Sequence, residues 1–365
     1  MTRVLVVDDS VVVRRMLSDV LASEPRISVV GTAASGTIAL QKLTQVNPDV
    51  VILDVEMPDM DGIETVRRLR ETHVRLPVIM CSSLTARGAD VTLRALAAGA
   101  TDYVTKPTAS VTQADRLASF NSELLAKVLA LGGLTERQSV IVAARATPAF
   151  APVARLVREP VCALGIGCST GGPNALTELF RRIPADLPVP IFIVQHMPPL
   201  FTKMLAEHLT ASSGVSVVEA EHAGLVEPGH VYVAPGDHHL TVGRQGARVV
   251  TLLSREPAEN SCRPAVDVLF RSLAQLYGGG VLACVLTGMG RDGARGARNI
   301  VEAGGAVLAQ SAETCVVPSM PGAVVESGLA DRVLPLDELA DELVRRVRSS
   351  ANTRPLLSVV QRREA

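Results

Sequence analysis

The sequence predicts a two-domain α/β protein built on open parallel sheets. Three observations predict it: the length, an aliphatic composition nearly free of aromatics, and two series of strand-like runs alternating with helix-periodic stretches. A chain of 365 residues exceeds what one core ordinarily serves. Its hydrophobic fraction of 47% is carried by Val, Leu, Ile and Ala, with aromatics at 2% and no Trp. That usage suits strands covered on both faces by helices. In the first series the strands fall at residues 4–7, 28–31, 50–53, 78–80 and 102–104, which implies right-handed βαβ units. A closing helix is expected over residues 112–131, stopped by Gly132-Gly133, so the first domain is 1–131. Residues 132–160 carry Thr147-Pro148, Ala151-Pro152 and Glu159-Pro160, the scattered breakers of a linker. The second series places strands at 163–167, 189–194, 231–233, 281–286 and 306–308. A helix over 337–348 starts acidic and ends basic, as its dipole favours. The second domain is thus 161–348, followed by a loosely held tail at 349–365.

Lys+Arg 36 against Asp+Glu 37 gives a net charge of -1, which argues against a nucleic-acid-binding output. No apolar stretch approaches the ~18 residues of a membrane span, so a cytoplasmic protein without membrane insertion is expected, monomeric by default. The six cysteines form no C-x-x-C pair and indicate neither a zinc site nor a disulfide framework.

Polar residues at the strand ends decide the first domain's chemistry. Asp8-Asp9 follow the first strand, Asp54 the third, Ser82 the fourth and Lys106 the fifth. Carboxyl ends of strands in an open α/β sheet converge on one crevice. Three carboxylates there repel each other unless a cation joins them, and a hard ion such as Mg²⁺ suits their oxygens. A carboxylate also accepts a phosphoryl group, while a hydroxyl and an ammonium receive the new oxygens, which makes Asp54 the acceptor. Val-Leu-Val-Val-Asp-Asp-Ser, Leu-Asp-Val-Glu-Met-Pro-Asp-Met-Asp-Gly and Asp-Tyr-Val-Thr-Lys-Pro resemble the response-regulator receiver family over roughly the first 130 residues. The resemblance implies a flavodoxin-like domain with a five-stranded parallel sheet, phosphorylated on Asp54 by a chemotaxis histidine kinase. It implies Mg²⁺ held by Asp9, Asp54 and the backbone carbonyl of Glu56 with Asp8 nearby, and Ser82, Tyr103 and Lys106 as switch residues.

In the second domain, the strand at 163–167 runs into Gly167-Cys168-Ser169-Thr170-Gly171, which fits the G-x-S-x-G nucleophile elbow. A serine hydroxyl needs a base, and of the seven histidines only His196 ends a strongly aliphatic strand. Asp292 follows the buried run 281–286 through Thr287-Gly288-Met289-Gly290-Arg291 and supplies the orienting acid. The order Ser…His…Asp matches neither the α/β-hydrolases nor chymotrypsin nor subtilisin. Gly-Cys-Ser-Thr-Gly-Gly-Pro, Gln-His-Met-Pro-Pro, Ala-Pro-Gly, Cys-Arg-Pro-Ala-Val-Asp-Val-Leu-Phe and Gly-Met-Gly-Arg-Asp-Gly-Ala resemble the CheB family of chemotaxis protein-glutamate methylesterases. This implies a doubly wound, mostly parallel α/β methylesterase domain with Ser169 as nucleophile, His196 as base, Asp292 as orienting carboxylate and the backbone at Met289 as oxyanion donor. It implies hydrolysis of glutamate methyl esters and deamidation of glutamines on methyl-accepting chemoreceptors, with no cofactor for that reaction. An unphosphorylated receiver is expected to cover the triad's face.

Two departures stand out. Cys168 precedes the serine where the family more often has alanine. Ser319-Met320-Pro321-Gly322 lacks the basic residue that usually follows Gly-Met-Pro. Two decoys also arise. Gly288-x-Gly290-x-x-Gly293 and Gly165-x-Gly167 imitate a dinucleotide fingerprint but lack an acidic residue at the next strand end. His238-His239 read as a surface loop, and His73, His208, His222 and His230 as solvent-facing.

Overall fold

The computed structural model describes residues 1–107, 113–141 and 159–351, and the chain separates into two compact units, Met1–Phe150 and Ala151–Ala365. In the first, β1 (Thr2–Val7), α1 (Val11–Ala22), β2 (Ile27–Ala33), α2 (Gly36–Val46), β3 (Val50–Asp54), α3 (Gly62–Thr72), β4 (Val78–Ser82), α4 (Ala86–Ala97), β5 (Asp102–Thr105) and α5 (Gln113–Ile141) alternate. The sheet runs β2-β1-β3-β4-β5 with every pair parallel. The order reverses between β1 and β3, so their carboxyl ends border a crevice. Short polar side chains start the helices: Ser10, Ser35, Asp61 and Thr85 each accept a hydrogen bond from an amide of the first turn. Asp61 thereby caps α3 through Oδ1.

One expectation fails here. Helix α5 does not stop at Gly132-Gly133 but continues to Ile141. A helical glycine costs ~1 kcal/mol relative to alanine without forcing a stop. A Cβ on Gly132 would lie 2.1 Å from Thr2 Cγ2, so the glycine lets α5 press against the first residue of β1. The remaining linker, residues 142–158, and the tail from 352 lie outside the described residues.

The second unit contains β6 (Ala163–Cys168), α6 (Gly172–Phe180), β7 (Ile191–Gln195), α7 (Phe201–Ser213), β8 (Ser216–Glu219), β9 (His230–Val233), β10 (His239–Gln245), β11 (Arg248–Ser254), α8 (Val266–Tyr277), β12 (Val281–Val285), α9 (Ala294–Glu302), β13 (Ala306–Gln310), α10 (Ser319–Glu326), β14 (Arg332–Leu334) and α11 (Leu336–Ala351). Its seven-stranded parallel sheet is ordered β14-β13-β12-β6-β7-β9-β8. The five strands expected from sequence are its centre. The short edge strands β8 and β14 and the antiparallel hairpin β10-β11 are additions. Chain direction across the sheet reverses at β6, which lies between β7 and β12, so the crevice opens at these three carboxyl ends.

Packing on β6 explains the partial fingerprint Gly165-x-Gly167. A Cβ on Gly165 would meet Leu273 Cδ1 at 2.7 Å, and one on Gly167 would meet Val266 Cγ1 at 2.4 Å. The two glycines let α8 lie close against the sheet, where Phe270 and Leu273 are fully buried at ~1.5–3 kcal/mol each. The helix therefore delivers its amino-terminal end to the crevice.

Candidate active site

The first unit gathers Asp8, Asp54 and Lys106 as their strand ends required. Lys106 Nζ donates to Asp8 Oδ2 at 2.9 Å and to Asp54 Oδ1 at 2.8 Å, and the Val55 amide donates to the same Asp54 oxygen at 2.8 Å. Ligand oxygens of Asp8, Asp9 and Asp54 lie within 4.8 Å of one another. This all-oxygen set, partly exposed through Asp9, fits a hard divalent cation. Burial pushes the Asp54 carboxyl up to about 6 against the pull of Lys106, while Asp8 adds to the rise. Gly62 keeps this corner tight: a Cβ there would stand 2.4 Å from the Asp54 carbonyl oxygen.

The other receiver residues make their side-chain contacts elsewhere. The Glu56 side chain turns away to Arg87 at 3.1 Å, which leaves only its backbone carbonyl for the cluster. Ser82 Oγ, fully buried, donates to the Gly88 carbonyl of α4 at 3.1 Å. Tyr103 is buried, with Lys127 Nζ 5.0 Å from its ring centroid and bonded to its carbonyl at 2.6 Å.

In the second unit Ser169 follows β6, His196 follows β7 and Asp292 follows β12. Gly171, at φ 76°, makes the turn into α6. Gln195 Nε2 donates to the Ser169 carbonyl at 3.0 Å and more weakly to that of His196 at 3.3 Å, tying the two loops together. His196 Nε2 lies 2.8 Å from Asp292 Oδ2. Asp292 is buried, and as a carboxylate it only accepts, so Nε2 keeps a ring proton and Nδ1 is the nitrogen that gains or loses the second one. Ser169 Oγ makes no hydrogen bond to that nitrogen among the described residues. Its neighbour is instead Cys262 Sγ, 3.5 Å away.

Asp292 is held by far more than the histidine. Its Oδ2 also accepts from the Val266 amide at 2.7 Å, and its Oδ1 from the amides of Asp267 at 3.1 Å and Gly293 at 3.0 Å and from Asn260 Nδ2 at 2.8 Å. Helix α8 has no side-chain cap of its own, and Asp292 satisfies its first two amides from across the sheet. Burial alone would push Asp292 up, but the His196 bond and these amides hold it below the ordinary carboxylate range. Burial alone would push His196 down, but the bond to Asp292 and the contact with Cys262 hold it up at about 9. Asp267, fully buried, accepts from Asn260 Nδ2 and the Gly296 amide. Burial and then the charge of Asp292 push its carboxyl up.

Met289 is half-buried on the loop beside Ser169. The position of a Cβ on the preceding Gly288 would be 2.9 Å from Ser169 Cβ. Gly288 and Gly290 amides are taken by the Val317 carbonyl and Ser319 Oγ, whereas the Met289 amide makes no hydrogen bond among the described residues. Ser319 Oγ in turn donates to the Gly288 carbonyl at 3.0 Å, so the first residue of the departing tetrapeptide braces this loop. A Cβ on Gly322 would meet nothing within 4 Å.

Sequence reasoning missed Asn260, Cys262 and Gln195. Asn260 and Ser261 both adopt positive φ, 52° and 62°, in a segment with no periodicity to mark it. Gln195 carried a signal in hindsight, being a polar residue inside a buried strand end. The surface-loop reading also fails for His239: its ring is buried at the start of β10, facing the Pro257 carbonyl at 3.1 Å and accepting from the Ala265 amide at 3.3 Å. It braces the segment that leads into α8. Of the remaining histidines His222 is exposed, and His73, His208 and His230 are half-buried.

The two units thus define a hydrolase with a receiver-type module. The family model of the response regulator receiver domain matches residues 4–117, and that of the CheB methylesterase matches residues 164–343. The chain is 46% identical over 350 residues to the protein-glutamate methylesterase/protein-glutamine glutaminase of Trichodesmium erythraeum, covering 94% of this chain and 99% of that one. It is 51% identical over 366 residues to the protein of the same name from Nocardioides sp., covering 97% of each. The crystal structure of the Thermotoga maritima CheB methylesterase catalytic domain, 44% identical, superimposes with a TM-score of 0.50 over 51% of this chain and 98% of that one. The chain belongs to the CheB methylesterase family.

Proposed function

We propose that the protein removes methyl esters from glutamates, and amide groups from glutamines, on methyl-accepting chemoreceptors, and that phosphorylation of Asp54 raises this activity to give adaptation in chemotaxis signalling. The observation that carries the reading is His196 held by a carboxylate that four other donors fix in place, at the end of the strand beside the Ser169 elbow. In the substrate complex Ser169 Oγ attacks the side-chain carbonyl and His196 Nδ1 takes its proton, a contact that tightens when substrate is seated. Asp292 keeps the other ring nitrogen protonated and stabilises the imidazolium. The Met289 amide donates to the developing oxyanion, a contribution of ~3–4 kcal/mol. His196 then returns its proton to the leaving methanol or ammonia, and water attacks the acyl-serine by the same route.

In the receiver, Asp54 accepts the phosphoryl group of a histidine kinase, and Lys106 moves its charge onto the new oxygens. Asp8, Asp9, Asp54 and the Glu56 carbonyl would hold a divalent cation such as Mg²⁺, which would supply neutralising charge for that transfer. Ser82, buried at the end of β4, and Tyr103, buried within β5, carry the change toward α4.

The test is incubation of the full chain with methylated receptor membranes, with and without a phosphodonor. Wild type releases methanol faster when phosphorylated, Asp54→Asn loses only that increment, and Ser169→Ala loses turnover by ~10⁶-fold. Undiminished hydrolysis by Ser169→Ala removes the proposed nucleophile.

A further inference from the structure

The half-buried thiol of Cys262 lies 3.5 Å from Nδ1 of His196, the ring nitrogen turned away from Asp292. We propose that Cys262 Sγ and His196 Nδ1 form a binding site for a thiophilic divalent cation of the zinc type, and that its occupancy blocks hydrolysis. The blocking half rests on His196 acting as base; the binding half does not.

Three features favour a metal. A tetrahedral ion with bonds of ~2.3 Å to sulfur and ~2.05 Å to imidazole nitrogen places those atoms ~3.5 Å apart, so the two donors need not separate to receive it. Metal-bound imidazoles ordinarily give their second N–H to a carboxylate, and Asp292 accepts that proton here at 2.8 Å. The thiol is also held in place. Glu259 and Cys262 exchange backbone hydrogen bonds at 3.1 and 2.9 Å, and Arg271 grips Glu259 through both carboxylate oxygens at 2.8 and 2.6 Å.

Ligand atoms of His196, Cys262 and Asp292 all lie within 4.8 Å of one another. Asp292 stays behind the ring, because its oxygens are committed to the α8 amides, the Gly293 amide and Asn260. Water fills the remaining positions from the exposed side. On binding, the Cys262 S–H bond and the Nδ1–H bond of the His196 imidazolium both break, sulfur and nitrogen keep the electron pairs for the metal bonds, and the two protons leave to solvent. The histidine lone pair is then engaged and cannot take the serine proton. Soft and hard donors keep the chain's two cation clusters apart: the sulfur–nitrogen pair selects zinc-type ions, while the oxygen cluster at Asp8, Asp9 and Asp54 selects Mg²⁺.

The experiment uses the full chain stripped with chelator. Cadmium is titrated while the thiolate-to-metal charge-transfer absorption is read, and zinc is titrated into the receptor-demethylation assay. Wild type is expected to gain the absorption with one equivalent of cadmium and to lose at least ~10-fold in activity with zinc, with Mg²⁺ causing no loss. Cys262→Ser is expected to lose the absorption and to need ~10–100-fold more zinc for the same fractional inhibition. His196→Gln, which keeps the thiol, weakens cadmium binding by a similar factor. Cys162→Ser and Cys315→Ser, at the other two half-buried thiols, retain both responses. Absorption that persists in Cys262→Ser, or zinc inhibition with an unchanged midpoint there, overturns the site. Binding by wild type without inhibition overturns the block, and leaves the nucleophile to the metal-free comparison with Ser169→Ala.

Discussion

Replacing Asp292 by asparagine changes one atom in a site where five donors converge. Oδ1 accepts from Asp267, Gly293 and Asn260, and Oδ2 from His196 and Val266. The single oxygen of an amide goes where three donors meet, so its NH₂ group faces His196 and the Val266 amide. The Val266 N–H is then buried without an acceptor, at a cost of ~1–3 kcal/mol in stability. His196 Nε2 must become an acceptor, which moves the ring proton to Nδ1 and removes the lone pair that Ser169 needs. A wrong tautomer of this kind lowers kcat by on the order of 10⁴, or ~5.5 kcal/mol in the barrier.

The pH profile separates this effect from simple loss of structure. With His196 held up at about 9, only ~1% of the wild-type imidazole is neutral at pH 7, so turnover should climb about tenfold per pH unit toward 9. Without the Asp292 charge the residual activity should level off at lower pH, toward the ordinary histidine value of 6.5. The raised pKa also stabilises the fold fully below about 6.5, and that contribution is lost as pH rises through about 9. The assay is methanol release from methylated receptors between pH 6 and 10, with thermal unfolding in parallel. A folded Asp292→Asn protein with less than ~10-fold loss and an unmoved profile would refute the reasoning.

Three further outcomes follow from the geometry. Burial pushes the metal-free Asp54 carboxyl up to about 6, and a divalent cation on the same oxygens should pull it down; the protonation midpoint, read by carboxyl NMR, should fall when Mg²⁺ is added, and an unmoved midpoint would contradict the cation role of the cluster. Gly172→Ala places a Cβ 1.9 Å from Gln195 Oε1, which displaces the side chain that ties Ser169 to His196; kcat should fall ~10²-fold with ~1–3 kcal/mol lost in thermal unfolding, and unchanged kcat would count against that tie. Gly322→Arg enters open space on α10 and restores the missing positive charge; it should stabilise the helix by up to ~1 kcal/mol and lower KM for an acidic receptor at low salt, an effect that must vanish at high salt if it is electrostatic.

Both sheets were legible because parallel strands buried on two faces are written as short aliphatic runs with polar residues just beyond. That rule located Asp8, Asp54, Lys106, Ser169, His196 and Asp292 without coordinates, since a strand end in such a sheet is also a crevice position. It failed where position depends on packing. The Gly132-Gly133 pair looks like a helix stop, yet Gly132 serves the approach of α5 to Thr2. Gly165 and Gly167 look like part of a nucleotide loop, yet they seat α8 on β6.

By itself, then, the sequence determined the two sheets, their order of chemistry along the chain and the reactive residue types, because local periodicity and strand ends are properties of short segments. Only the tertiary structure decided which ring nitrogen of His196 meets Asp292, that Asn260 and the amides of α8 anchor that carboxylate, and that Cys262 stands against the nitrogen left over. Those are contacts between residues 26 to 96 positions apart, set by how closely α8 lies on the sheet, and no local pattern encodes that distance.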